Sequence, residues 1–139
     1  MLLYVSYGQA CELSVAQRAD LARLILALAD GRRDDVVRIF RSIGYATRSQ
    51  SDGVAYAAAV VSFDRDDRAV TGGLNVQAWL EKQAAEDPCL AWPETFLMAS
   101  RNTFILRGFG IVLGRPMSVA KAWRPIAEAF LREHNEPLV

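Results

Sequence analysis

The sequence predicts a mainly helical fold, in which a short N-terminal strand and turn are followed by about six helices. Apolar residues recur with the 3.6-residue period of a helix in several segments. Capping residues precede these segments, and glycine or proline follows them. At 139 residues the chain has the length of one domain and can bury a core without disulfide bonds. We therefore expect a single helical domain over residues 1–139.

The first predicted helix follows Ser14. Ser14 and Gln17 have the spacing of a capping box, and Asp30 with Gly31 supplies the stop. The apolar positions that share one face of this helix are Leu21, Leu24, Ile25 and Leu28.

The middle of the chain predicts three more helices and one long loop. A helix begins near Asp34 and ends at Gly44, with its apolar residues on one face. Residues 51–63 fit a helix or a buried strand by periodicity alone, but their length and alanine content favour a helix. Residues 64–75 are charged and then glycine-rich, which is typical of a loop, and a helix is expected over Val76–Glu86.

The last third of the chain predicts two helices. Pro93 is suited to the first turn of a long helix that runs to Gly114. Ser118 is placed to cap a final helix, which Pro125 is expected to kink or delay.

Charge and composition exclude several classes of function. Sixteen basic residues balance sixteen acidic ones, so the chain lacks the positive charge on which nucleic-acid binding depends. Cys11 and Cys89 are far apart and have no metal-ligand spacing, which predicts free thiols in a reducing compartment. The single histidine, His134, is expected at an exposed helix end, so we predict no metal site and no histidine-based catalysis.

The apolar content indicates surface that is intended for contact. Hydrophobic residues make up 52% of the chain, which is high for a small domain that must cover its own surface. The longest apolar stretch is interrupted by Arg101, Asn102 and Arg107, so no membrane-spanning segment is predicted.

The N-terminal segment "YVSYGQ" is a candidate ligand loop. A short strand that leads through a glycine turn into a helix can present backbone N–H groups to a phosphate or metal. Ser6, Tyr7 and Gly8 would form that turn. The alternative is a simple strand end, in which Gly8 makes the turn and Tyr7 packs on the first helix.

Four segments in order resemble the C-terminal half of the UbiB-type, or aarF-domain-containing, atypical kinases. They are "YGQACELSVAQRADLARLILALADGRRDDVVRIFRSIGYATR", "TGGLNVQAWLEKQAAEDP", "ETFLMASRNTFILRGFGIVLG" and "SVAKAWRPIAEAFL". The family is associated with ubiquinone and isoprenoid-lipid metabolism. The resemblance implies the C-terminal part of a kinase-like lobe and, in a eukaryote, a mitochondrial or plastid location.

The resemblance also implies that this chain is not catalytic by itself. In these kinases an Asp before the aromatic residue, Gly and Gln holds the magnesium that bridges the nucleotide phosphates. Tyr7, Gly8 and Gln9 match that motif, but Ser6 occupies the Asp position, and a neutral hydroxyl is a weaker Mg²⁺ ligand. The resemblance therefore implies Mg-ATP as a cofactor of the complete family protein only, and implies that Ser6, Tyr7 and Gly8 would form a degenerate nucleotide loop.

The family's nucleotide loop, phosphate-facing Lys and catalytic-loop Asp and Asn would precede Met1. The expected partners are accordingly an N-terminal kinase lobe or a second copy of the chain, with an isoprenoid lipid or a membrane surface as a further partner. Under the alternative, the chain is a free-standing, non-catalytic helical module for dimer or membrane-lipid contact.

Three further groups of residues have two interpretations each. Trp79, Trp92 and Trp123 would line a site for a polyprenyl lipid or pack between helices. Arg101 and Arg107 would contact a lipid phosphate or an acidic partner, or lie with their stems along the core. The spacing of the third group does not match a phosphate loop, and these residues are expected to allow close helix packing instead. They are Gly108, Gly110 and Gly114.

Overall fold

The computed structural model describes residues 10–138 and is mainly helical, as the sequence predicts. The predicted N-terminal strand and turn lie outside the described residues. Within them the helices are α1 Val15–Ala29, α2 Arg33–Ser42, α3 Asp52–Phe63, α4 Val76–Glu86, α5 Leu97–Val112 and α6 Val119–Glu133.

Side-chain caps begin four of these helices. The predicted capping box of α1 is confirmed: the backbone N–H of Gln17 donates to Ser14 Oγ at 3.3 Å, and Ser14 N–H donates to Gln17 Oε1 at 2.8 Å. Ser51, Asn75 and Ser118 cap α3, α4 and α6 in the same way. Each cap satisfies an N–H group that has no partner inside its helix, so these helix starts are fixed by local sequence.

The core lies between α1, α2, α3 and α6. Helix α1 packs against α2 and α6, and α3 packs against α2 and α5. Phe40 of α2 is fully buried at the centre, stacked on Tyr45 at 4.4 Å between ring centroids and edge-on to Phe63 at 5.9 Å. Other side chains with almost no exposure are Leu24, Val36, Val60, Val61 and Leu131.

A small antiparallel sheet was not predicted. It consists of β1 Ala46–Thr47 and β2 Cys89–Ala91, with Ala46 opposite Ala91 and Thr47 opposite Cys89. Strands of two and three residues are too short to produce an alternating pattern, so the sequence gives no signal for them.

The structure corrects the prediction for Pro93 and one of the two alternatives for Pro125. Pro93 does not lie in the first turn of α5, because a 3-10 turn over Glu94–Phe96 separates it from that helix. Pro125 does not delay α6, which begins at Val119 and continues through it. Pro125 and Lys121 are both exposed, so water can bind the Lys121 carbonyl that loses its N–H partner.

Candidate functional site

The loop of Ser6, Tyr7 and Gly8 lies outside the described residues. The candidate nucleotide loop therefore stays a prediction. Among residues 10–138, three features are candidates for function. They are the exposed apolar helix α5, the polar contacts that hold α5, and the cavities next to the tryptophans.

Helix α5 exposes apolar side chains over most of its surface. Its buried residues form a narrow stripe, Ser100, Thr103, Arg107 and Gly110, and Ala99 packs partly buried against the core. The exposed side chains include Phe109 at 62%, Val112 at 83% and Leu113 at 73%. The others on this helix are Leu97, Phe104, Ile105, Leu106 and Ile111. We call the exposed apolar residues from Leu97 to Leu113 the α5 face.

A helix that is apolar around its circumference is normally buried on all sides. Contiguous apolar surface of this kind marks a contact site for a protein, a membrane or a ligand. The high apolar content of the sequence is therefore explained largely by the exposed apolar side chains of α5.

Polar contacts fix α5 to the end of α3. Thr103 Oγ1 donates to the Ser62 carbonyl at 2.5 Å, and Arg107 Nη1 donates to the Val61 carbonyl at 2.6 Å. These carbonyls belong to the last turn of α3, where backbone acceptors have no partner within the helix. The contacts therefore satisfy buried acceptors and set the rotation of α5 about its axis.

Arg107 is a structural residue: its whole side chain is buried, and not only its stem, so it is not available to a lipid phosphate or an outside partner. Only 4% of its surface is exposed, and its guanidinium lies 3.3 Å from an Asp66 carboxylate oxygen and 4.4 Å from the Phe104 ring centre. Burial lowers the pKa of Arg107, and the charge of Asp66 opposes that effect. Arg101, in contrast, is exposed and forms no ion pair with residues 10–138.

Asp64 joins the end of α3 to the start of α6. Its side chain is fully buried and accepts hydrogen bonds from Ser118 Oγ and, at 3.2 Å, from the backbone N–H of Ala120. Its own carbonyl accepts from Val119 N–H at 3.1 Å. The sequence predicts a charged loop over residues 64–75, and nothing in that pattern indicates the burial of Asp64, because its partners lie more than 50 residues later in the chain.

Only Gly110 of the three glycines is closely packed, and its neighbour is the backbone that follows α5 rather than another helix. A Cβ on Gly110 would lie 2.8 Å from the Arg115 carbonyl oxygen, so the chain after α5 folds back against this position. Gly108 is exposed, and a Cβ placed on it would meet no atom of a neighbouring segment within 4 Å. Gly114 follows the helix with a φ of +67°. These glycines build the end of α5 and do not form a phosphate loop.

The segment around the α5 face carries an excess of positive charge. Residues 95–127 contain five basic residues and no acidic residue. The basic residues are Arg101, Arg107, Arg115, Lys121 and Arg124. Arg101, Arg115 and Lys121 are exposed and form no ion pair within residues 10–138, whereas Arg124 pairs with Asp30 and Glu128.

Two of the three predicted tryptophans line one cavity. Trp79 and Trp92 border a space of about 510 Å³ beneath Leu97 and Phe104 of α5. Tyr45 lies at the same cavity, and burial together with the nearby Cys89 and Asp87 raises its pKa to about 12. The walls are mostly apolar. This is typical of a ligand pocket and equally of an incompletely filled space between helices, so the lining alone does not assign a ligand.

Trp123 lies elsewhere. It borders an apolar groove of about 250 Å³ between α1 and α6, together with Ile25, Ile126 and Phe130. The structure therefore does not bring the three tryptophans together in a single site.

The remaining candidates are exposed and are not grouped into a site among residues 10–138. His134 is exposed at the end of α6 and stacks on Phe130, with ring centroids 4.2 Å apart. Cys11 and Cys89 are exposed and unpaired. Within the described chain, no three His, Cys, Asp or Glu residues are grouped to hold a metal, and no helix has the length and apolar character to cross a bilayer.

Comparison with known proteins found no matching family model, no curated relative and no similar solved structure.

Proposed function

We propose that this chain serves as a non-catalytic docking lobe, corresponding to the C-terminal helical part of a UbiB-type kinase-like protein. Two things support the proposal. One is the resemblance of four segments in order. The other is the α5 face, which is the observation that carries the docking role.

The α5 face is suited to docking because it is held in place before any partner arrives. Thr103 and Arg107 bind carbonyls of α3, so α5 cannot rotate its apolar side chains inward without leaving buried polar groups unpaired. Because these apolar side chains cannot become buried within the protein itself, they are available for contact with another molecule.

The catalytic part of this proposal is tested with nucleotide. We expect the purified chain to show no ATP hydrolysis and no increase in melting temperature with Mg-ATP, because Ser6 replaces the carboxylate that would hold the metal. Ser6→Ala serves as the matched control, and Ser6→Asp restores the family residue. A shift in the unmodified chain that Ser6→Ala abolishes and Ser6→Asp enlarges would overturn the non-catalytic assignment.

The family part is tested by the native size of the protein. Immunoblotting and intact-mass analysis of source cells should find the 15.4 kDa sequence within a heavier polypeptide, or in a stoichiometric complex, that contains the kinase nucleotide loop and catalytic loop. A 15.4 kDa species without such a lobe would overturn the assignment as one lobe of a larger kinase-like protein and would favour a free-standing module.

The second candidate is a free-standing helical module that binds a membrane surface. A specific observation favours it: Arg101, Arg115 and Lys121 on or after α5 are exposed and form no ion pair within residues 10–138. Both candidates use the α5 face for docking, and they differ in whether a kinase-like lobe accompanies it.

A further inference from the structure

We propose that the cavity bordered by Trp79 and Trp92 binds a compact, uncharged organic molecule whose single polar group both donates and accepts a hydrogen bond. An alcohol or an amide on an apolar ring has this chemistry. The inference goes beyond the docking role, because it assigns a ligand to the cavity beneath α5 and does not depend on a kinase-like lobe.

Two side chains at this cavity have buried polar atoms without a hydrogen-bond partner. They are Gln83, through Oε1, and Trp92, through the indole Nε1. Buried polar atoms are normally paired, because an unpaired one loses its contact with water and gains nothing in return. Only three of the residues within 10–138 have such atoms, and two of them border this one cavity.

The two unpaired atoms are complementary. The carboxamide oxygen of Gln83 can only accept a hydrogen bond, and the indole N–H of Trp92 can only donate one. A hydroxyl group donates one hydrogen bond and accepts another, and a carboxamide does the same through its N–H and carbonyl groups. Because both side chains border the cavity, one polar group of a molecule seated there can satisfy both.

The charges around the cavity indicate an uncharged ligand. None of the described residues that border it is basic, so an anionic group would find no opposite charge. Asp87 is the one acidic residue among them, and its two oxygens already accept from the N–H and Oγ of Ser49, each at 2.7 Å. Its carboxylate is therefore engaged within the protein, and a cationic group would also leave the Trp92 donor unpaired.

The size and walls of the cavity are suited to a compact apolar body. Its volume of about 510 Å³ lies in the range of small-molecule sites, about 300–1,000 Å³. The rings of Tyr45, Trp79 and Phe104 border it, and aromatic walls favour contact with a ligand that itself carries a ring. Leu80 and Leu97 also border it and are 45% and 49% exposed, so a molecule can enter from solvent.

The inference is tested by titrating the 139-residue chain with four phenyl compounds of similar size. Phenylacetamide and phenethyl alcohol carry a donor–acceptor group, whereas ethylbenzene carries none and phenylacetate is anionic. The readout is the indole N–H signal of Trp92 in a nitrogen–proton correlation NMR spectrum, assigned by its loss in Trp92→Phe. We expect the amide or the alcohol to bind about tenfold more tightly than ethylbenzene and phenylacetate. The tighter of the two identifies the polar group of the ligand.

The competing interpretation is a space that the side chains leave incompletely filled. It predicts no shift of the Trp92 indole signal with any of the four compounds, and that result would overturn the inference. Equal binding of ethylbenzene and the two hydrogen-bonding compounds would also overturn it, because the unpaired atoms would then have no role in binding. Tightest binding of phenylacetate would contradict an uncharged ligand.

Matched variants assign the two hydrogen bonds. Gln83→Leu and Trp92→Phe should each weaken the binding of phenylacetamide by about five- to tenfold and leave that of ethylbenzene unchanged. Gln77→Leu is one control, since it removes an exposed carboxamide from the same helix. Trp123→Phe is the other, since it changes the tryptophan at the separate groove. Affinities of the variants are measured from the backbone N–H signal of Ala84, which also borders the cavity.

Melting temperatures establish which variants are folded. Gln83→Leu should melt no lower than the unmodified chain, because it removes a buried acceptor that has no partner. The Trp92 ring packs edge-on against Phe40 and Tyr45, so if Trp92→Phe does not fold, Gln83→Leu tests the inference alone. Equal effects of Gln83→Leu and Gln77→Leu on phenylacetamide binding would overturn it.

Discussion

Replacement of Asp64 by alanine should strongly destabilise the protein. The carboxylate is fully buried and accepts from Ser118 Oγ and from Ala120 N–H at 3.2 Å, while Arg65 pairs with it from a partly exposed position. Removal of one partner from a buried ionic contact costs about 3–5 kcal/mol. Because Arg65 is 35% exposed and retains Asp67 at 2.9 Å, we expect a value near the lower end, about 3 kcal/mol.

The loss corresponds to a decrease in melting temperature of about 10 °C for a domain of this size. Urea unfolding followed by circular dichroism at constant pH measures the free energy directly. Asp20→Ala is the matched control, since its carboxylate is 45% exposed and Arg23 retains Glu136, so the loss should be less than about 1 kcal/mol. A loss for Asp64→Ala no larger than that of the control would refute the role of Asp64.

A double-mutant cycle tests the mechanism more closely. Ser118 Oγ donates to Asp64 and accepts from Lys121 N–H at 3.1 Å, so the two side chains belong to one network. Ser118→Ala alone should cost about 1 kcal/mol as a lost helix cap. The double variant should lose less than the sum of the single losses. Simple additivity would mean that the two groups stabilise α6 independently.

The remaining predictions concern helix packing and pH. Gly110→Ala should destabilise the protein by about 1–3 kcal/mol because its Cβ would meet a backbone oxygen at 2.8 Å. Gly108→Ala places its Cβ in open space and should stabilise the helix by about 0.5–1 kcal/mol. Equal melting temperatures of the two variants would contradict this difference. Hydrogen bonds from the side chain and backbone of Ser49 hold the pKa of Asp87 below its ordinary value. Its stabilising contribution should therefore be lost as pH falls below about 4, and Asp87→Asn should flatten the acid side of a stability profile. Burial raises the pKa of Tyr45 to about 12, so stability should decrease as pH rises from about 10; a phenolate absorbance that titrates near 10 would contradict its burial.

Local signals explain why the helices could be predicted. The α1 capping box involves residues three apart, and α4 occupies the predicted span Val76–Glu86. These boundaries depend on side chains within one helical turn, which a linear pattern records. The two short strands pair across more than 40 residues, and no local pattern indicates their pairing.

The candidate site was less predictable because its residues are organised by distant contacts. Arg107 resembles a surface residue in sequence, but carbonyls at the end of α3 and Asp66 bring it into the interior. Composition alone indicated that some apolar surface is exposed. That this surface lies on α5 could not be predicted, because it follows from the absence of a described helix packed against the outer side of α5. Trp79 and Trp92 meet at one cavity while Trp123 is separated from them, and their spacing in sequence does not distinguish these outcomes.

The packing of α1 against α6 has a consequence for synthesis on the ribosome. The first helix obtains its main apolar partner from a helix that begins about 100 residues later. At about 5–20 residues per second, translation of that interval takes on the order of 5–20 seconds. During this time the nascent chain presents Leu21 and Ile25 without the α6 residues that later lie beside them. The newly made protein should therefore engage a chaperone until α6 emerges, and premature termination before α6 should yield an aggregation-prone product.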